Sequence, residues 1–278
     1  MMDPMSDDAL STDFHLPGHG GALVGRAWPH PDPQWVAVIA HGYGEHVGRY
    51  GWVAGRLHEA GAAVFAADHV GHGRSDGTRV LIRDYEDVVE DLHLVVRHAA
   101  GVHPDLPIIL IGHSMGGLIA ARYTQRHADA LVATVLSGPV IGSWATVDDL
   151  LALEEIPSTP IDPETLSRDP AVGEAYAADP LVWHGDFARP TLEAMQTMMR
   201  TITAGGSVGN HPMLHLHGEA DQLVPMPASV EGVETLRGPA TSRITYPGAR
   251  HEIFNETNRA EVLEDVVTFV QGVLDQRR

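Results

Sequence analysis

The sequence predicts an α/β fold, in which a mostly parallel, doubly wound sheet carries an inserted helical cap. Short, apolar, β-branched segments alternate with stretches of helical periodicity, which is the pattern of consecutive βαβ units. The alternation stops near residue 139 and returns near residue 213, so a segment of different character interrupts it. With 278 residues, of which 44% are hydrophobic, the chain is long enough for one large domain with such an insertion.

The segments before the interruption alternate regularly between the two types. Predicted strands cover residues 23–28, 34–40, 62–67, 108–111 and 131–136. Predicted helices cover residues 50–60, 85–99 and 118–127. The helix at 85–99 has the clearest amphipathic pattern, because its apolar side chains recur every three to four residues. The four consecutive apolar residues at 108–111 indicate a strand that is buried on both faces.

The segment 139–212 contains no clear strand, and acidic, proline-rich stretches alternate in it with short helical ones. An insertion at this point lies over the carboxyl ends of the strands, where doubly wound sheets bind ligands. We therefore predict a core formed by residues 1–138 and 213–278, and a cap formed by residues 139–212. Strands are expected again at 213–216 and 243–246, followed by a final helix from residue 259. The polar start, residues 1–10, is expected to be frayed.

The composition excludes several classes of chemistry. The chain has no cysteine, which excludes disulfides, thiolate metal sites and a cysteine nucleophile. It has no lysine either, since its 18 basic residues are all arginine, which excludes Schiff-base chemistry and a Ser-Lys dyad. A serine nucleophile in this chain would therefore depend on histidine for its activation.

Charge and hydropathy narrow the choice of partners. The formal net charge of −19 argues against a nucleic-acid partner and against electrostatic attachment to anionic lipid. No apolar run approaches the ~18 residues that a membrane span requires. Because residues 1–10 lack the apolar core of a signal peptide, a cytoplasmic location is expected. The expected assembly is a monomer or a homodimer.

A Gly-x-Ser-x-Gly pattern at residues 112–116 stands between a predicted strand and a predicted helix. Strand, sharp turn and helix are the context of a nucleophile elbow, which is typical of the α/β-hydrolase fold. The tight turn leaves no room for side chains at its glycine positions, and the serine hydroxyl projects above the sheet. Ser114 is therefore the predicted nucleophile.

A serine hydroxyl is a weak nucleophile, so it needs a base within hydrogen-bond reach and a third group that orients the base. In α/β-hydrolases these residues follow in the order Ser, Asp or Glu, His. Asp221 lies in a turn just after the strand predicted at 213–216 and is the preferred acid, with Glu219 as the alternative. His251 is the only histidine after either carboxylate, so it is the predicted base.

Two backbone N–H groups are expected to stabilise the oxyanion of the tetrahedral intermediate. One belongs to Met115, the residue that follows the nucleophile. The other should come from the glycine-rich loop at residues 41–44, where glycine allows the backbone to approach the substrate. Within that loop the N–H of Tyr43 is the predicted donor.

A metal-dependent hydrolase is the main alternative among enzymes. His215 and His217 alternate on one face of a predicted strand, and Asp221 follows them, which faintly resembles a metal cluster. No further ligands stand at useful spacing in the sequence. We therefore expect no metal and no cofactor, and a rate that a chelator leaves unchanged.

Four motifs together resemble the monoacylglycerol lipase family of serine hydrolases. Residues 41–50, HGYGEHVGRY, are similar to its HGxGEHxGRY segment, and residues 68–75, DHVGHGRS, to its DxxGHGRS turn. Residues 112–117 match GHSMGG, and residues 251–256 match HEIFNE. Two segments of the predicted cap, SRDP at 167–170 and ADPLV at 178–182, resemble the bacterial members.

The resemblance covers nearly the whole chain beyond its start. It implies a triad of Ser114, Asp221 and His251, and an oxyanion hole formed by Tyr43 and Met115. Relatives often carry a smaller or purely apolar residue at the position of Tyr43, so this side chain is expected to narrow the entrance.

The substrate-binding residues fall into an apolar and a polar group. In the predicted cap, Met195 and Met199 lie at helical spacing, and the flexible methionine side chain suits an acyl chain of no fixed shape. The alternative is that both residues only attach the cap to the core. Glu45 and Arg49, four residues apart, can form an ion pair. With His113 they are expected to bind the free hydroxyls of a monoacylglycerol, and the alternative is a purely structural salt bridge.

We therefore expect a serine hydrolase that cleaves the ester of monoacylglycerols through an acyl-enzyme, without a cofactor. The alternative enzyme is a general carboxylesterase or lysophospholipase that uses the same triad. An alternative of a different class is a catalytically silent binding protein on this fold, which an intact triad disfavours. The expected partners are a lipid ester substrate and, through transient contact of the cap, lipid surfaces.

Overall fold

Eight strands form one sheet in the computed structural model, which describes residues 11–158 and 160–277. They are β1 (Thr12–Gly18), β2 (Gly21–Trp28), β3 (Trp35–Ala40), β4 (Ala62–Ala67), β5 (Ile108–His113), β6 (Ala133–Ser137), β7 (Met213–Gly218) and β8 (Thr241–Tyr246). Their spatial order is β1-β2-β4-β3-β5-β6-β7-β8. β2 pairs antiparallel with β1 and β4, and all other pairs are parallel. The predicted α/β, mostly parallel fold is confirmed.

Helices cover both faces of this sheet. They are α1 (Gly51–Glu59), α2 (Tyr85–Val102), α3 (Met115–His127), α4 (Ala145–Ala152), α5 (Pro170–Ala178), α6 (Arg189–Gly205), α7 (Met226–Leu236) and α8 (Arg259–Asp275). Apolar residues of α2, α3, α6 and α7 pack on one face, and those of α1 and α8 on the other. Along β3, Val36 and Val38 belong to the first cluster, and Ala37 and Ile39 to the second, as the alternation of a strand requires.

The sequence analysis missed two elements. β1 is an edge strand in which exposed and half-buried residues alternate, so it lacks the continuous apolar run of a buried strand. α7 follows directly on the turn that contains Asp221 and was not separated from it. The predicted frayed start, residues 1–10, lies outside the described residues.

The segment 139–212 contributes α4, α5 and α6, and no strand occurs among its described residues. α6 packs against α2, α3, α4 and α7. Its buried side chains include Leu192, Met195, Met199 and Ile202, which belong to the same apolar cluster as Met115 of α3. Within the described part of the chain, no helix is both long enough and apolar enough to cross a bilayer.

The parallel strands bring four loops to one edge of the sheet. β3, β5, β6, β7 and β8 are neighbours and run in the same direction, so their carboxyl ends meet. The loops after β3, β5, β7 and β8 carry, in that order, His41, Ser114, Asp221 and His251. Residues far apart in sequence thus face one another at this edge, as in other open α/β sheets.

Candidate active site

Ser114 stands on a strained turn between β5 and α3. Its backbone has φ 55° and ψ −117°, a conformation that residues other than glycine rarely adopt. The neighbouring glycines are required by close approaches. A Cβ at Gly112 would lie 2.3 Å from the carbonyl oxygen of Gly116, and one at Gly116 would lie 2.0 Å from that of Ala40. The turn is further fixed by the N–H of Ser114, which donates to the carbonyl of Ser137 at 2.9 Å.

A continuous hydrogen-bonded chain joins Ser114, His251 and Asp221. His251 Nε2 lies 2.8 Å from Ser114 Oγ, and His251 Nδ1 lies 2.7 Å from Asp221 Oδ2. Because an ionised carboxylate can only accept, Nδ1 carries the proton and Nε2 presents its lone pair to the serine hydroxyl. Asp221 Oδ1 accepts from the N–H groups of Leu223 and Val224, each at 2.9 Å. The arrangement is that of a nucleophile, its base and an orienting acid.

The electrostatics of the site separate the acid from the base. Burial raises the pKa of Asp221, but the neighbouring His251 and the hydrogen bonds from His217 and His251 lower it more, so the net pKa is well below its usual range. Burial lowers the pKa of His251, but the Asp221 carboxylate outweighs this effect, and the net pKa of His251 is raised. Asp221 is therefore ionised at neutral pH, and His251 is a stronger base than a free imidazole.

Glu219, the alternative acid, does not approach His251. It is exposed just beyond the end of β7, and its Oε1 accepts from the hydroxyl of Thr245 at 2.8 Å. Asp221 lies two residues further on, after the chain has turned back toward the sheet edge. The turn is closed by the N–H of Asp221, which donates to the carbonyl of Gly218.

The loop after β3 is held by its own side chains. The N–H of His69 donates to His41 Nε2 at 3.0 Å, so the proton of this ring is on Nδ1, which donates to the carbonyl of Gly42 at 2.8 Å. The N–H of Gly42 donates to Glu45 Oε1 at 2.6 Å. Because a trans peptide directs its C=O and N–H oppositely, fixing the carbonyl of Gly42 also fixes the N–H of Tyr43.

The second expected donor belongs to Met115, the first residue of α3. At this position the N–H has no acceptor within the helix, so it is free to bind an oxyanion. Tyr43 and Met115 both line the cavity above Ser114. The Tyr43 ring stacks on Phe187 with centroids 4.8 Å apart, which narrows the cavity on the side of the segment 139–212.

The cavity that contains Ser114 has an apolar wall and a polar end. The apolar lining is Tyr43, Met115, Val140, Trp144, Ile161, Leu166, Tyr176, Phe187, Met195 and Leu223. The polar end consists of Glu45, His113 and Glu252, beside His251. A second, smaller cavity adjoins it and shares these three polar residues.

Of the expected polar subsite, Glu45 and His113 line the cavity, whereas Arg49 lies behind it. Arg49 donates to Glu45 Oε2 at 2.6 Å and to both oxygens of Glu252 at 2.7 Å each. Tyr50 also donates to Glu45 Oε1, at 2.7 Å. The guanidinium is thus held by two carboxylates and lines the smaller, adjoining cavity, and direct binding of a substrate hydroxyl by Arg49 stays a prediction.

Two further ionisable groups in this region have shifted pKa values. Burial raises the pKa of Glu252, but the Arg49 guanidinium lowers it more, to about 2. Burial lowers the pKa of His113 to about 4, so the ring is neutral and can exchange hydrogen bonds with a hydroxyl. Sequence reasoning missed Glu252, although it stands beside His251 in the motif at 251–256.

Met195 lines the cavity, and Met199 does not. Met199 lies one helical turn further along α6, where it is 3% exposed within the apolar cluster under the helix. A direct role of Met199 in holding an acyl chain stays a prediction. Its position agrees with the alternative that it attaches α6 to the core.

His215 and His217 bond to each other rather than presenting ligands to an ion. His215 Nε2 lies 3.3 Å from His217 Nδ1, and His217 Nε2 lies 2.9 Å from the carbonyl oxygen of Val224. Across residues 11–158 and 160–277, no group of three or more histidine, aspartate or glutamate side chains is arranged to hold a metal ion.

The known proteins that resemble this chain are hydrolases, which agrees with the geometry around Ser114. The family described as "Serine aminopeptidase, S33" matches residues 31–258. A monoacylglycerol lipase from Mycolicibacterium smegmatis is 39% identical over 270 residues, which cover 93% of this chain and 96% of that enzyme. Two solved structures share the fold and can be compared over most of their length.

The first is a thermostable carboxyl esterase from Bacillus coagulans in complex with glycerol, with a TM-score of 0.80 and 26% identity over 95% of this chain and 98% of that one. The second is a monoacylglycerol lipase from Paleococcus ferrophilus, with a TM-score of 0.75 and 27% identity over 89% and 99%. From the extent of the family match and the identity to the mycobacterial enzyme, the chain belongs to the monoacylglycerol lipase family of S33 serine hydrolases.

Proposed function

We propose that this protein is a carboxylic ester hydrolase that cleaves monoacylglycerols to glycerol and fatty acid, with Ser114, His251 and Asp221 as its catalytic triad. The observation that carries the proposal is the hydrogen-bonded chain from Asp221 to Ser114 Oγ, which opens into a cavity with an apolar wall and a polar end. A monoacylglycerol has the same two parts, an acyl chain and two hydroxyls. The 39% identity to a monoacylglycerol lipase supports this substrate over the esterase alternative.

In the acylation step, His251 Nε2 accepts the proton of Ser114 as Oγ attacks the ester carbonyl. The N–H groups of Tyr43 and Met115 donate to the oxyanion of the tetrahedral intermediate. His251 then returns the proton to the glycerol oxygen, which leaves, and Ser114 remains acylated. Water attacks the acyl-enzyme by the same route with His251 as base, releasing the fatty acid and restoring the serine.

The acyl chain lies along the apolar wall in this proposal, in contact with Met195. The hydroxyls of glycerol lie at the polar end, within reach of His113 and Glu45. Arg49 contributes indirectly, because it holds the Glu45 and Glu252 carboxylates in place. A substrate without hydroxyls leaves the other ring nitrogen of His113, Nε2, without a partner, since its Nδ1 already bonds to Ser137. Such an unpaired polar group costs about 1–3 kcal/mol.

Residues 139–212 form the cap in this proposal, since they contribute Trp144, Ile161 and Phe187 to the wall above Ser114. Transient contact of the cap with lipid surfaces is supported by Leu153, which is 47% exposed at the end of α4. The cytoplasmic location and the choice between monomer and homodimer stay predictions from the sequence.

The test is a comparison of monoacylglycerol and triacylglycerol with the same acyl chain, presented in the same mixed micelles so that interfacial supply is equal. We expect monoacylglycerol to be hydrolysed at least ~10-fold faster, because one unpaired polar group of ~1.4 kcal/mol suffices for that ratio. Comparable rates on the two lipids would reject the substrate assignment. Faster turnover of lysophospholipids, or of methyl esters of the same acyl chain, than of monoacylglycerol would favour the alternative enzyme.

A further inference from the structure

A second chain of hydrogen bonds leads away from Asp221, on the side opposite the substrate. Its Oδ2, which accepts from His251, also lies 3.2 Å from His217 Nε2. His217 Nδ1 lies 3.3 Å from His215 Nε2, and His215 Nδ1 lies 3.2 Å from Arg243 Nε. Both histidines are completely buried, whereas the Arg243 side chain is 32% exposed and pairs with Glu234. The chain thus joins the carboxylate of the triad to a surface arginine.

The two ends of this chain fix its direction. At the outer end, Arg243 Nε–H can only donate, so His215 Nδ1 accepts and the proton of this neutral ring is on Nε2. His215 Nε2–H then donates to His217 Nδ1, which leaves the proton of His217 on Nε2. At the inner end that proton is donated to the Val224 carbonyl at 2.9 Å, and the Asp221 carboxylate, whose Oδ2 lies 3.2 Å from the same nitrogen, attracts it electrostatically. The donors of Arg243 and His215 therefore point inward from the surface, and the Nε2–H of His217 lies beside Asp221.

We propose that His217, His215 and Arg243 are positioning residues of the triad, which hold Asp221 Oδ2 through this one-directional chain. The inference rests on the proposed role of Asp221 as the acid of the triad. None of the three residues lines the cavity above Ser114, so they act on catalysis only through Asp221. This gives the His215-x-His217 pair on β7 a role that needs no metal.

The physical reason lies in how Asp221 is held. Its Oδ1 is bound by the N–H groups of Leu223 and Val224, but Oδ2 depends on side chains alone. Without the donor on His217, His251 is the remaining donor to Oδ2, and only the two N–H groups on Oδ1 still restrain rotation of the carboxylate. A misdirected carboxylate orients the imidazole of His251 less well, and catalysis loses rate without any change in substrate contacts.

The first test compares His217→Leu with His217→Gln. Leucine fills much of the volume without a donor, whereas the glutamine amide can donate to Asp221 and accept from His215. We expect His217→Leu to lower kcat about 10-fold, equivalent to ~1.4 kcal/mol, with KM within about 2-fold of the parent. His217→Gln should keep kcat within about 3-fold. Equal kcat values in the two variants would overturn the proposal, since packing alone would then explain the residue.

The second test substitutes Arg243, the exposed residue at the outer end of this series of contacts, where a substitution does not disturb the packing of the core. Arg243→Met removes the donor to His215, and Arg237→Met is its matched control, because Arg237 also pairs with Glu234 but makes no contact with His215. We expect a 2- to 3-fold lower kcat for Arg243→Met and no change for Arg237→Met. If His217→Leu does not fold, the comparison of Arg243→Met with Arg237→Met tests the proposal by itself. Equal kcat values in these two arginine variants would then overturn it.

Asp221→Ala in the same assays separates this inference from the assignment of the triad. If Asp221→Ala keeps near-normal turnover, the triad itself is wrong and the inference fails with it. If Asp221→Ala is inactive while His217→Leu and Arg243→Met turn over normally, only the positioning role is wrong. The His217 and Arg243 variants and the Arg237→Met control are compared after titration of their active sites with a fluorophosphonate, so that unfolded protein does not lower the measured kcat. The folding of Asp221→Ala is checked by thermal unfolding instead, because a broken triad does not label normally.

Discussion

Replacement of Arg49 by methionine tests the buried charge cluster at the polar end of the cavity. The Arg49 guanidinium is bound by Glu45 and Glu252, and these three side chains are 11%, 5% and 6% exposed. Methionine keeps much of the volume but leaves two buried carboxylates without the cation that they share. A buried ion pair that loses one partner is strongly destabilised, because the remaining charge stays buried without compensation.

The magnitude follows from the pKa of Glu252. Its ordinary value is 4.5, and Arg49 is the main group that overcomes burial and holds it at about 2. A shift of this size corresponds to about 3 kcal/mol of folding free energy. This agrees with the ~3–5 kcal/mol expected when a buried pair is broken. We therefore expect Arg49→Met to lower the free energy of unfolding by about 3 kcal/mol at pH 7.

The loss of stability in Arg49→Met should become smaller as the pH falls. In the parent protein the depressed pKa of Glu252 contributes stability above pH 4.5, and this contribution is lost as the pH falls toward 2. In the variant, burial and the neighbouring Glu45 raise the pKa of Glu252, so mild acid protonates one carboxylate and relieves the repulsion. The difference in stability between the two proteins should therefore shrink from pH 7 to pH 5.

Urea unfolding of both proteins at pH 7 and pH 5 measures this difference. Arg56→Met is the control, because Arg56 forms an ion pair with Glu59 in which both side chains are largely exposed. Such a pair contributes little, so this variant should be within about 0.5 kcal/mol of the parent at both pH values. A loss below about 1 kcal/mol in Arg49→Met, or a loss that does not change with pH, would refute the reasoning.

Three further predictions concern the triad and the buried histidines. Ser114→Ala or His251→Ala should lower kcat by several orders of magnitude with unchanged thermal unfolding, and Asp221→Asn should also be severe because it favours the wrong imidazole tautomer. The acid limb of the profile of kcat/KM against pH should lie above pH 6.5, since His251 must be neutral to act as base and its pKa is raised. Acid should destabilise the fold, because burial lowers the pKa of His69 to about 3 and that of His113 to about 4. As the pH falls, these two histidines therefore bind protons in the unfolded chain before they do so in the folded protein. Their contribution is complete above pH 6.5, and urea titrations should show about 2 kcal/mol lost per histidine by pH 5.

The sequence was most informative where function depends on local backbone geometry. The elbow at Ser114 needs glycine at residues 112 and 116 because a Cβ at either position would lie within 2.3 Å of a backbone oxygen, and this requirement is visible in the sequence as the Gly-x-Ser-x-Gly pattern. The strands around it are continuous apolar runs, so β3 and β4 were predicted to within a residue at each end, and β5 to within two. β1 was missed because an edge strand needs no such run.

Contacts between residues that are distant in the sequence could not be predicted in the same way. The pairing of Arg49 with Glu252 spans 203 positions and depends on how the segments that follow β3 and β8 converge above the carboxyl ends of the strands. The pattern of Glu45 and Arg49 predicted an ion pair, but not that the guanidinium would be shared with Glu252. His215 and His217 looked like metal ligands because alternation on a strand places both side chains on one face, whether they bind an ion or each other.

The central claim is that Ser114 is the nucleophile, and mass spectrometry after labelling with a fluorophosphonate tests it most directly. Trypsin releases residues 98–122 as one peptide, in which Ser114 is the only side chain with a hydroxyl. We predict that one label per chain is found on this peptide, that monoacylglycerol hydrolysis falls in proportion to labelling, and that His251→Ala labels far more slowly. A label on another peptide, or full turnover by a chain labelled at Ser114, would contradict the account.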